Sequence, residues 1–387
     1  MMQILLFGES HEFTSMVLDE LSRTRARVII SQEQEGAMAL LSCHRFDTVM
    51  INVRPIGMGG AADLGFFRFL HTNYPGTHAI GIYDPQSNDA SVDQKAHTEK
   101  AVLQTLGSAV FDMTKQPGRL QDYLQAVLSF TVEDAGAPLK IDRLENLEEF
   151  LGSSALTSVY QPIMDIQGNR KAVAYEALTR ANTDSLLGNP GLLFSYAAQK
   201  ELFSKIDAAC LTSALALSRG LPASIDLFLN IQPRSLTNVD FAEGLLSAVT
   251  TNGHKPENVV LELTEQREVL NPRMFTASLK SLKEMGFRIA VDDFGEGNAN
   301  LEMLLHVMPD FIKISGRICR HVTKVKVVRS MITAITQTSK EEGIRTIAEF
   351  IETEADALLL AELGVDLGQG WHLGKPADPV TLKFPET

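Results

Sequence analysis

The sequence predicts an α/β protein of two domains: a doubly wound parallel sheet of five strands, followed by a (β/α)8 barrel with one antiparallel strand. Two patterns predict this class. Short apolar runs alternate with amphipathic helical runs over residues 1–130, and eight strand-like runs alternate with helices over residues 146–387. A chain of 387 residues is also longer than a single hydrophobic core usually serves. We therefore expect two cores, one for each domain.

The first domain is predicted over residues 1–130. Its strands are the apolar runs QILLFG, RVIIS, TVMINV, HAIGIYD and SAVFDM. Continuous apolar runs of this length are typical of parallel strands that are buried on both faces. Helical spacing in FTSMVLDELSRT, EGAMALLS and LGFFRFLHTNY supplies the covering layers. A site in such a domain is expected at the carboxyl ends of its strands.

Residues 131–145 are interpreted as a linker, because Gly, Ala and Pro lie between charges there. The second domain, residues 146–387, opens with two β-like runs around Gly168-Asn169, which is a hairpin signal. One strand should therefore run against the others. Helical runs such as PGLLFSYAAQKELFSKIDAACLTSALALS separate the strands that follow. The eight predicted strands are 158–166, 172–178, 226–232, 259–264, 288–293, 311–315, 345–349 and 366–373. Sites in barrels of this kind lie at the carboxyl ends of the strands.

Composition excludes several classes of protein. Thirty-five basic against 48 acidic residues give a net charge of −13, so no broad basic surface for DNA or RNA is expected. Three scattered cysteines without C-x-x-C spacing fit a reducing compartment. The amino terminus lacks the basic flank of a secretory signal, and no apolar run is long enough to span a bilayer. These features predict a cytoplasmic protein.

Seven apolar runs of the second domain end in residues that are able to hold a metal ion or move a proton. These residues are Glu176, Asn230, Glu262, Asp292, Lys313, Glu349 and Gln369. Burying carboxylates is costly unless a cation or hydrogen bonds compensate them. Hard oxygen ligands suit Mg²⁺ or Mn²⁺, and the lack of a His/Cys cluster in these runs disfavours zinc. The pattern predicts a cation site at the strand ends.

Each residue taken alone also has a purely structural interpretation. Asp292-Asp293 could cap a helix or form a turn, and Asn230 could form a turn. Lys313 could extend its stem over an apolar surface, and Arg180 could be a surface cation. The placement of all these residues at successive strand ends favours the functional interpretation.

Eight motifs occur in order along the second domain: YQPI (160–163), EALTR (176–180), NIQPRSL (230–236), ELTE (262–265), DDFGEGNANL (292–301), IKIS (312–315), AEFIE (348–352) and QGWHLGKP (369–376). In this order they resemble the EAL domains of bacterial cyclic di-GMP phosphodiesterases, over residues 146–380. The resemblance implies an enzyme with a two-metal Mg²⁺ or Mn²⁺ site that linearises cyclic di-GMP to pGpG. It also implies a homodimer.

The resemblance implies a role for each matching residue. The implied metal ligands are Glu176, Asn230, Glu262, Asp292, Asp293 and Glu349. The implied catalytic groups are Lys313 and Glu349, which hold or activate the attacking water, and Glu265, which anchors the loop after Asp293. The implied substrate contacts are Gln161, Glu176, Leu178, Arg180 and Gln369.

Three departures from the family pattern bear on catalysis. Ser315 stands where the family usually has an aspartate, and its hydroxyl cannot carry that charge. Phe350 replaces a usual glycine beside Glu349, where it would crowd the metal pocket or fill an apolar gap. The loop after Asp293, which couples metal binding to dimerisation in the family, differs at Glu296, Asn298, Ala299 and Asn300.

The first domain resembles a response-regulator receiver over residues 1–128. Its strand ends offer Gly8-Glu9 in place of an acidic pair and Asn52 in place of the phosphorylated aspartate, while Lys115 matches the usual lysine. The fourth-strand Thr or Ser position falls near Tyr83-Asp84. An amide does not accept a phosphoryl group in this way, and Asp47 precedes the strand, so no phosphorylation is expected. The resemblance then implies a domain used for dimerisation or for docking a protein partner.

Three hypotheses for function follow. The first, which we prefer, is a cyclic di-GMP phosphodiesterase whose degenerate receiver domain serves for interaction or dimerisation. The second is a catalytically weak domain that binds cyclic di-GMP as a receptor, and the changes at Ser315, at Phe350 and in the loop after Asp293 keep it open. The third is a protein scaffold without nucleotide binding, which the intact series from Glu176 to Gln369 disfavours.

Overall fold

A computed structural model gives the fold for most of the chain. It describes residues 2–8, 10–22, 26–54, 60–83, 109–112, 139–153, 155–181, 185–222, 225–238, 240–263, 272–295 and 307–381, with the single residues 102, 120, 123 and 304. These residues form two compact units. The first is Met1–Phe150 with Thr183–Glu201, and the second is Leu151–Asn182 with Leu202–Thr387. The segment 183–201 therefore groups with the amino-terminal residues, although the sequence places it inside the barrel domain.

The first unit contains a parallel sheet of six strands rather than the predicted five. In chain order the strands are β1 (Met2–Phe7), β2 (Ala26–Ser31), β3 (Thr48–Val53), β4 (His78–Tyr83), β5 (Ala109–Phe111) and β6 (Lys140–Arg143). Their order in the sheet is β5-β4-β3-β1-β2-β6. Without β6 this is the flavodoxin-like order of doubly wound folds.

The sixth strand comes from the segment predicted to be a linker. It pairs with β2 at the sheet edge, and the Arg27 guanidinium lies 2.7 Å from the Asp142 carboxylate across that pair. The strand sequence KIDR has one apolar residue, Ile141, and that side chain is 44% exposed. A strand stabilised by edge pairing and charge lacks the apolar run by which buried strands are recognised.

The described helices of the first unit are α1 (His11–Leu21), α2 (Gln34–Cys43), α3 (Gly60–Asn73), α4 (Leu147–Gly152), which continues into the second unit, and α5 (Pro190–Gln199). Asn189 caps α5 by accepting from the Gly191 amide, and Pro190 starts the helix. The predicted continuous helix from residue 190 onward ends here, because Glu201 adopts a left-handed φ of 55°.

Helices α2 and α5 pack closely within this unit. A β-carbon on Gly36 of α2 would lie 3.2 Å from the Tyr196 ring of α5, so the glycine permits the approach. The Glu33 carboxylate, just before α2, accepts from the Tyr196 hydroxyl, from Lys200 Nζ at 2.8 Å and from Asn146 Nδ2 at 2.9 Å.

The second unit contains a closed barrel of eight strands, as predicted. They are β7 (Leu156–Asp165), β8 (Ala172–Ala181), β9 (Asp226–Ile231), β10 (Val259–Leu263), β11 (Arg288–Phe294), β12 (Phe311–Ile314), β13 (Arg345–Ala348) and β14 (Leu367–Gly368). Strand β7 pairs antiparallel with both neighbours, and the other pairs are parallel, which confirms the predicted hairpin.

The described helices around the barrel are α6 (Phe203–Leu217), α7 (Phe241–Thr251), α8 (Pro272–Glu284), α9 (Gly316–Cys319), α10 (Lys326–Glu341) and α11 (Glu354–Glu362). None of the helices in the described ranges has the length and apolar composition to cross a bilayer.

Candidate functional site

One layer of the barrel interior explains why the polar strand ends meet. Eight buried apolar residues, one from each strand, form a single cluster. They are Ile163, Ala174, Phe228, Val260, Ala290, Phe311, Ile347 and Leu367. Side chains two positions apart on a strand share a face. The residue two positions beyond each member therefore also points inward, one layer nearer the carboxyl ends. Those residues are Glu176, Asn230, Glu262, Asp292, Lys313, Glu349 and Gln369, with Gln161 on the antiparallel strand.

Lys313 lies among four of these carboxylates. Its Nζ is 2.9 Å from Glu349, 3.1 Å from Glu262, 3.2 Å from Asp292 and 3.3 Å from Glu176. The lysine side chain is 1% exposed. One ammonium group thus faces four acids inside the barrel, so the cluster as a whole is acidic and suited to further positive charge.

Amide side chains complete the network around Glu176. Asn230 Nδ2 donates to Oε1 at 2.9 Å, and Gln369 Nε2 donates to Oε2 at 2.6 Å. Gln369 Nε2 also donates to Gln161 Oε1 at 3.1 Å. Gln161 in turn donates to the Gly374 carbonyl at 3.0 Å. The metal-side and substrate-side residues implied by the resemblance therefore share one hydrogen-bonded network.

Burial and charge shift the pKa values of the cluster in opposite directions. Burial raises the pKa of Glu262 well above its usual range, and the neighbouring Glu176 adds to the rise. Burial also raises the pKa of Glu349, to about 7. Burial opposes the charged form of Lys313, but the surrounding carboxylates raise the pKa of the lysine well above its usual range. Burial also opposes the charged form of Glu176, but Lys313 and the amide donors of Gln369 and Asn230 lower the pKa of that carboxyl group. Protein groups alone therefore leave part of the acidic charge uncompensated.

Several buried oxygens of the site accept no well-aligned hydrogen bond from the described residues, although Lys313 Nζ lies 3.1 Å from Glu262 Oε1 and 3.2 Å from Asp292 Oδ1. They are both carboxylate oxygens of Glu262, Asp292 Oδ1 and Gln369 Oε1. Next to them, one oxygen from each of Asp292, Asp293 and Glu349 lies within 4.8 Å of the other two. Carboxylate and amide oxygens are the ligands that Mg²⁺ or Mn²⁺ prefers, and this group of oxygens has more acceptors than Lys313 alone can satisfy. The residues fit the predicted cation site.

Two predicted substrate contacts lie further along β8. Leu178 and Arg180 share the strand face of Glu176 because they follow it by two and four residues. Arg180 is half-buried, and its Nη1 donates to the Thr179 carbonyl at 2.8 Å rather than to the carboxylates. Glu265 and the variant positions Glu296, Asn298, Ala299 and Asn300 lie outside the described residues.

Ser315 and Phe350 serve local structure. Ser315 is fully buried, and its Oγ caps α9 by accepting from the Arg317 amide at 3.0 Å. Phe350 adopts a left-handed φ of 60° and is 45% exposed, with the Arg320 guanidinium 4.1 Å from the ring centroid. Of the two interpretations of Phe350, the filling of an apolar gap is wrong, because the ring is partly exposed and lies against the Arg320 guanidinium. The crowding of the metal pocket stays a prediction.

Comparison with known proteins agrees with this geometry. Residues 144–376 match the family model described as the EAL domain. The probable cyclic di-GMP phosphodiesterase PdeA of Escherichia coli K12 is 29% identical over 237 residues, which are 60% of this chain and 32% of the relative. The chain thus spans about a third of the length of that relative.

Two further matches differ in kind. The blue light- and temperature-regulated antirepressor BluF of Escherichia coli K12 is 28% identical over 297 residues, which are 72% of each chain. The solved structure of the phosphodiesterase PaMucR in complex with c-di-GMP is 25% identical, with a TM-score of 0.53, and covers 60% of this chain and 95% of that chain.

Proposed function

This chain belongs to the EAL domain family, and we propose that it is a cation-dependent phosphodiesterase that hydrolyses cyclic di-GMP to pGpG. One observation carries the proposal: four carboxylates, three of them buried, surround Lys313 at the carboxyl ends of the barrel strands, and several of their oxygens accept no well-aligned hydrogen bond within the described part of the chain. Relatives and a solved neighbour that are named for cyclic di-GMP support the choice of substrate.

The roles follow from position and charge. Glu176, Asn230, Glu262 and Asp292 would hold one cation, and Asp292, Asp293 and Glu349 the second. Two bound cations would supply a nucleophilic water and neutralise the leaving oxygen. Lys313 keeps a positive charge beside the attacking side of the phosphate. Glu349, whose carboxylate lies 2.9 Å from Lys313 Nζ, would hold or activate the attacking water together with that lysine. Gln161, Leu178, Arg180 and Gln369 would orient the dinucleotide, and Glu265 would anchor the loop after Asp293.

The direct test is to incubate the protein with cyclic di-GMP in the presence of Mg²⁺ or Mn²⁺ and to measure the formation of pGpG by chromatography. Glu176→Gln should lower kcat/KM at least 100-fold, because it removes a charge at the centre of the cluster. The matched control is Glu362→Gln, an exposed acid on α11, which should leave the rate unchanged. Equal loss in both variants, or no product from the wild type, would contradict the proposal.

A second function, cyclic di-GMP reception without turnover, rests on Ser315. Its hydroxyl is committed to the cap of α9, so no acid is supplied where the family usually has one. A relative that is named an antirepressor adds support. Under this alternative the dinucleotide binds and pGpG does not form over hours, and Ser315→Asp raises turnover.

For the amino-terminal unit we propose a receiver-like domain that is not phosphorylated. Gly8, after β1, packs against Asn52 on β3, and a β-carbon on Gly8 would lie 2.7 Å from Asn52 Cβ. Asp47 holds the other end of the sheet, accepting from the Gln3 amide at 2.7 Å. Glu9, Asp84 and Lys115 lie outside the described residues. Mass spectrometry after phosphodonor treatment should show no acyl-phosphate in residues 1–128, and a stable one would overturn the assignment.

We further propose a cytoplasmic homodimer, with the amino-terminal unit available to a protein partner and no nucleic acid bound. Helix α10 buries Ile332 and leaves Val327 and Met331 62% and 48% exposed, so one face remains apolar. Met331→Glu should shift sedimentation from dimer to monomer, whereas Lys340→Glu on the same helix should not. A wild-type monomer at micromolar concentration would refute the dimer.

A further inference from the structure

The turn that follows β14 is fixed at both ends to the polar network of the barrel. At its start, Gln369 donates to Glu176 at 2.6 Å. At its end, the Gly374 carbonyl accepts from Gln161 at 3.0 Å. Between them, the Leu373 and Gly374 amides both donate to the Gly370 carbonyl, which closes a tight loop. The turn is thus part of the site rather than a free surface loop.

Close backbone contacts hold the same turn against the strand end after β13. The Ile351 amide donates to the Gln369 carbonyl at 3.1 Å, and the His372 amide donates to the Ile351 carbonyl at 3.1 Å. A β-carbon on Gly370 would lie 2.2 Å from the Ile351 backbone, so only glycine fits there. The His372 ring is directed to Glu354, with Nε2 2.9 Å from the carboxylate.

Trp371 projects from this fixed turn. It is 65% exposed, the most exposed of the large hydrophobic side chains among the described residues, and it is the only tryptophan in the chain. Its Cα lies within about 7.6 Å of the Cα of Gln369, since the two are two residues apart. The Lys375 ammonium lies 5.2 Å from the indole centroid. A large rigid ring left in solvent beside a cation, on a turn bonded to the site, is suited to a ligand with flat bases and phosphates.

We propose that Trp371 binds a guanine base of the substrate by stacking, and that Lys375 supplies positive charge to the adjoining phosphate. This rests on the proposed function, because a cyclic dinucleotide is the ligand that brings a purine and a phosphate to this rim together. Trp371 would then determine affinity and base preference, while the carboxylate cluster performs the hydrolysis.

The single tryptophan makes the test direct. Stopped-flow mixing of the full chain with cyclic di-GMP and Mg²⁺ should quench the emission of Trp371 before turnover. The quench should saturate at the same concentration as binding measured by equilibrium dialysis. Trp371→Ala should raise KM and the dialysis Kd by about 5–100-fold with little change in kcat, because stacking is present before and during reaction. Trp371→Phe, which keeps a ring, should recover most of the affinity.

A control variant and a stability measurement separate stacking by Trp371 from an effect on the fold. Leu358→Ala, at an exposed apolar residue on α11, should leave KM unchanged, and the melting temperature of Trp371→Ala should match that of the wild type. If cyclic di-GMP binds but the emission does not change, or if Trp371→Ala keeps wild-type affinity, the stacking role is wrong and the phosphodiesterase proposal stands. If Phe and Ala lose affinity equally, the residue acts through the fold and stacking is again wrong. If no cyclic di-GMP binds with any divalent cation, both proposals fall.

Discussion

Lys313 combines complete burial with four carboxylate neighbours, so its effect on stability should depend on divalent cations. Without cations, Lys313→Met leaves Glu176, Glu262, Asp292 and Glu349 facing one another. We expect the free energy of unfolding to fall by about 3–5 kcal/mol, the usual cost of removing one partner from a buried ion pair. Added Mg²⁺ or Mn²⁺ should then raise the melting temperature of the variant more than that of the wild type, because the cations replace the lost charge.

The control for this comparison is Lys280→Met, whose ammonium is an exposed partner of Glu284 on α8. Its free energy of unfolding should lie within about 1 kcal/mol of that of the wild type, and added cations should change its melting temperature as they change that of the wild type. An identical cation response in Lys313→Met and Lys280→Met would mean that the carboxylate cluster does not bind the metal.

The backbone of Phe350 is strained, because this residue has a left-handed φ of 60° at a position where the family pattern has glycine. A left-handed φ costs a non-glycine residue about 1–2 kcal/mol. Glycine avoids this cost but loses more conformational entropy on folding, so its net advantage is smaller. Phe350→Gly should therefore be more stable than Phe350→Ala by about 1 kcal/mol. Both lose the Arg320 contact, so their difference isolates the backbone. Denaturant unfolding measures it.

A helical position supplies the reversed control. At Leu358, exposed on α11, alanine should be more stable than glycine by about 1 kcal/mol. If the order of Gly and Ala is the same at both positions, the left-handed backbone at Phe350 is not strained.

At the scale of elements, the barrel could be predicted because its strands alternate in a regular way. Each strand carries an apolar residue of the interior layer and, two positions on, a polar residue of the site, as in Phe228 and Asn230 or Val260 and Glu262. That spacing is visible in the sequence. The sequence does not reveal strand β6, because edge pairing rather than burial stabilises it. It also does not reveal the end of the helix before Glu201, because the apolar periodicity continues through that residue. The meeting of four acids at Lys313 follows only from barrel closure.

The turn after β14 gives a prediction at this scale. Gly370→Ala places a β-carbon 2.2 Å from the Ile351 backbone, so the turn must move and carry Gln369 away from Glu176. We expect kcat/KM for cyclic di-GMP to fall at least tenfold and the melting temperature to fall. Gly244→Ala, within α7, meets no atom within 4 Å and should stabilise the protein by about 0.5–1 kcal/mol. Unchanged kinetics in Gly370→Ala would show that the turn does not position Gln369.

At the scale of the whole molecule, sequence order and compact units disagree over residues 183–201. Helix α5 lies between barrel strands in sequence, yet it groups with the first unit, where Ser195 Oγ is 2.7 Å from Ser42 Oγ of α2. A domain boundary drawn near residue 146 separates α5 from the helix on which it packs. A chain that begins at residue 144 should therefore expose the apolar face of α5.

The expected result is a truncated protein that binds a hydrophobic dye and aggregates at concentrations where the full chain does not. The variant Tyr196→Ser tests whether loss of the contact between α5 and α2 causes this aggregation. In the full chain it removes a buried ring that packs on Gly36 and bonds to Glu33, and it should cost about 3 kcal/mol of stability. In the truncated chain the packing partner is already absent, so the same change should cost much less, and the two effects should not add. Equal costs in both backgrounds would show that the barrel, and not α2, stabilises α5.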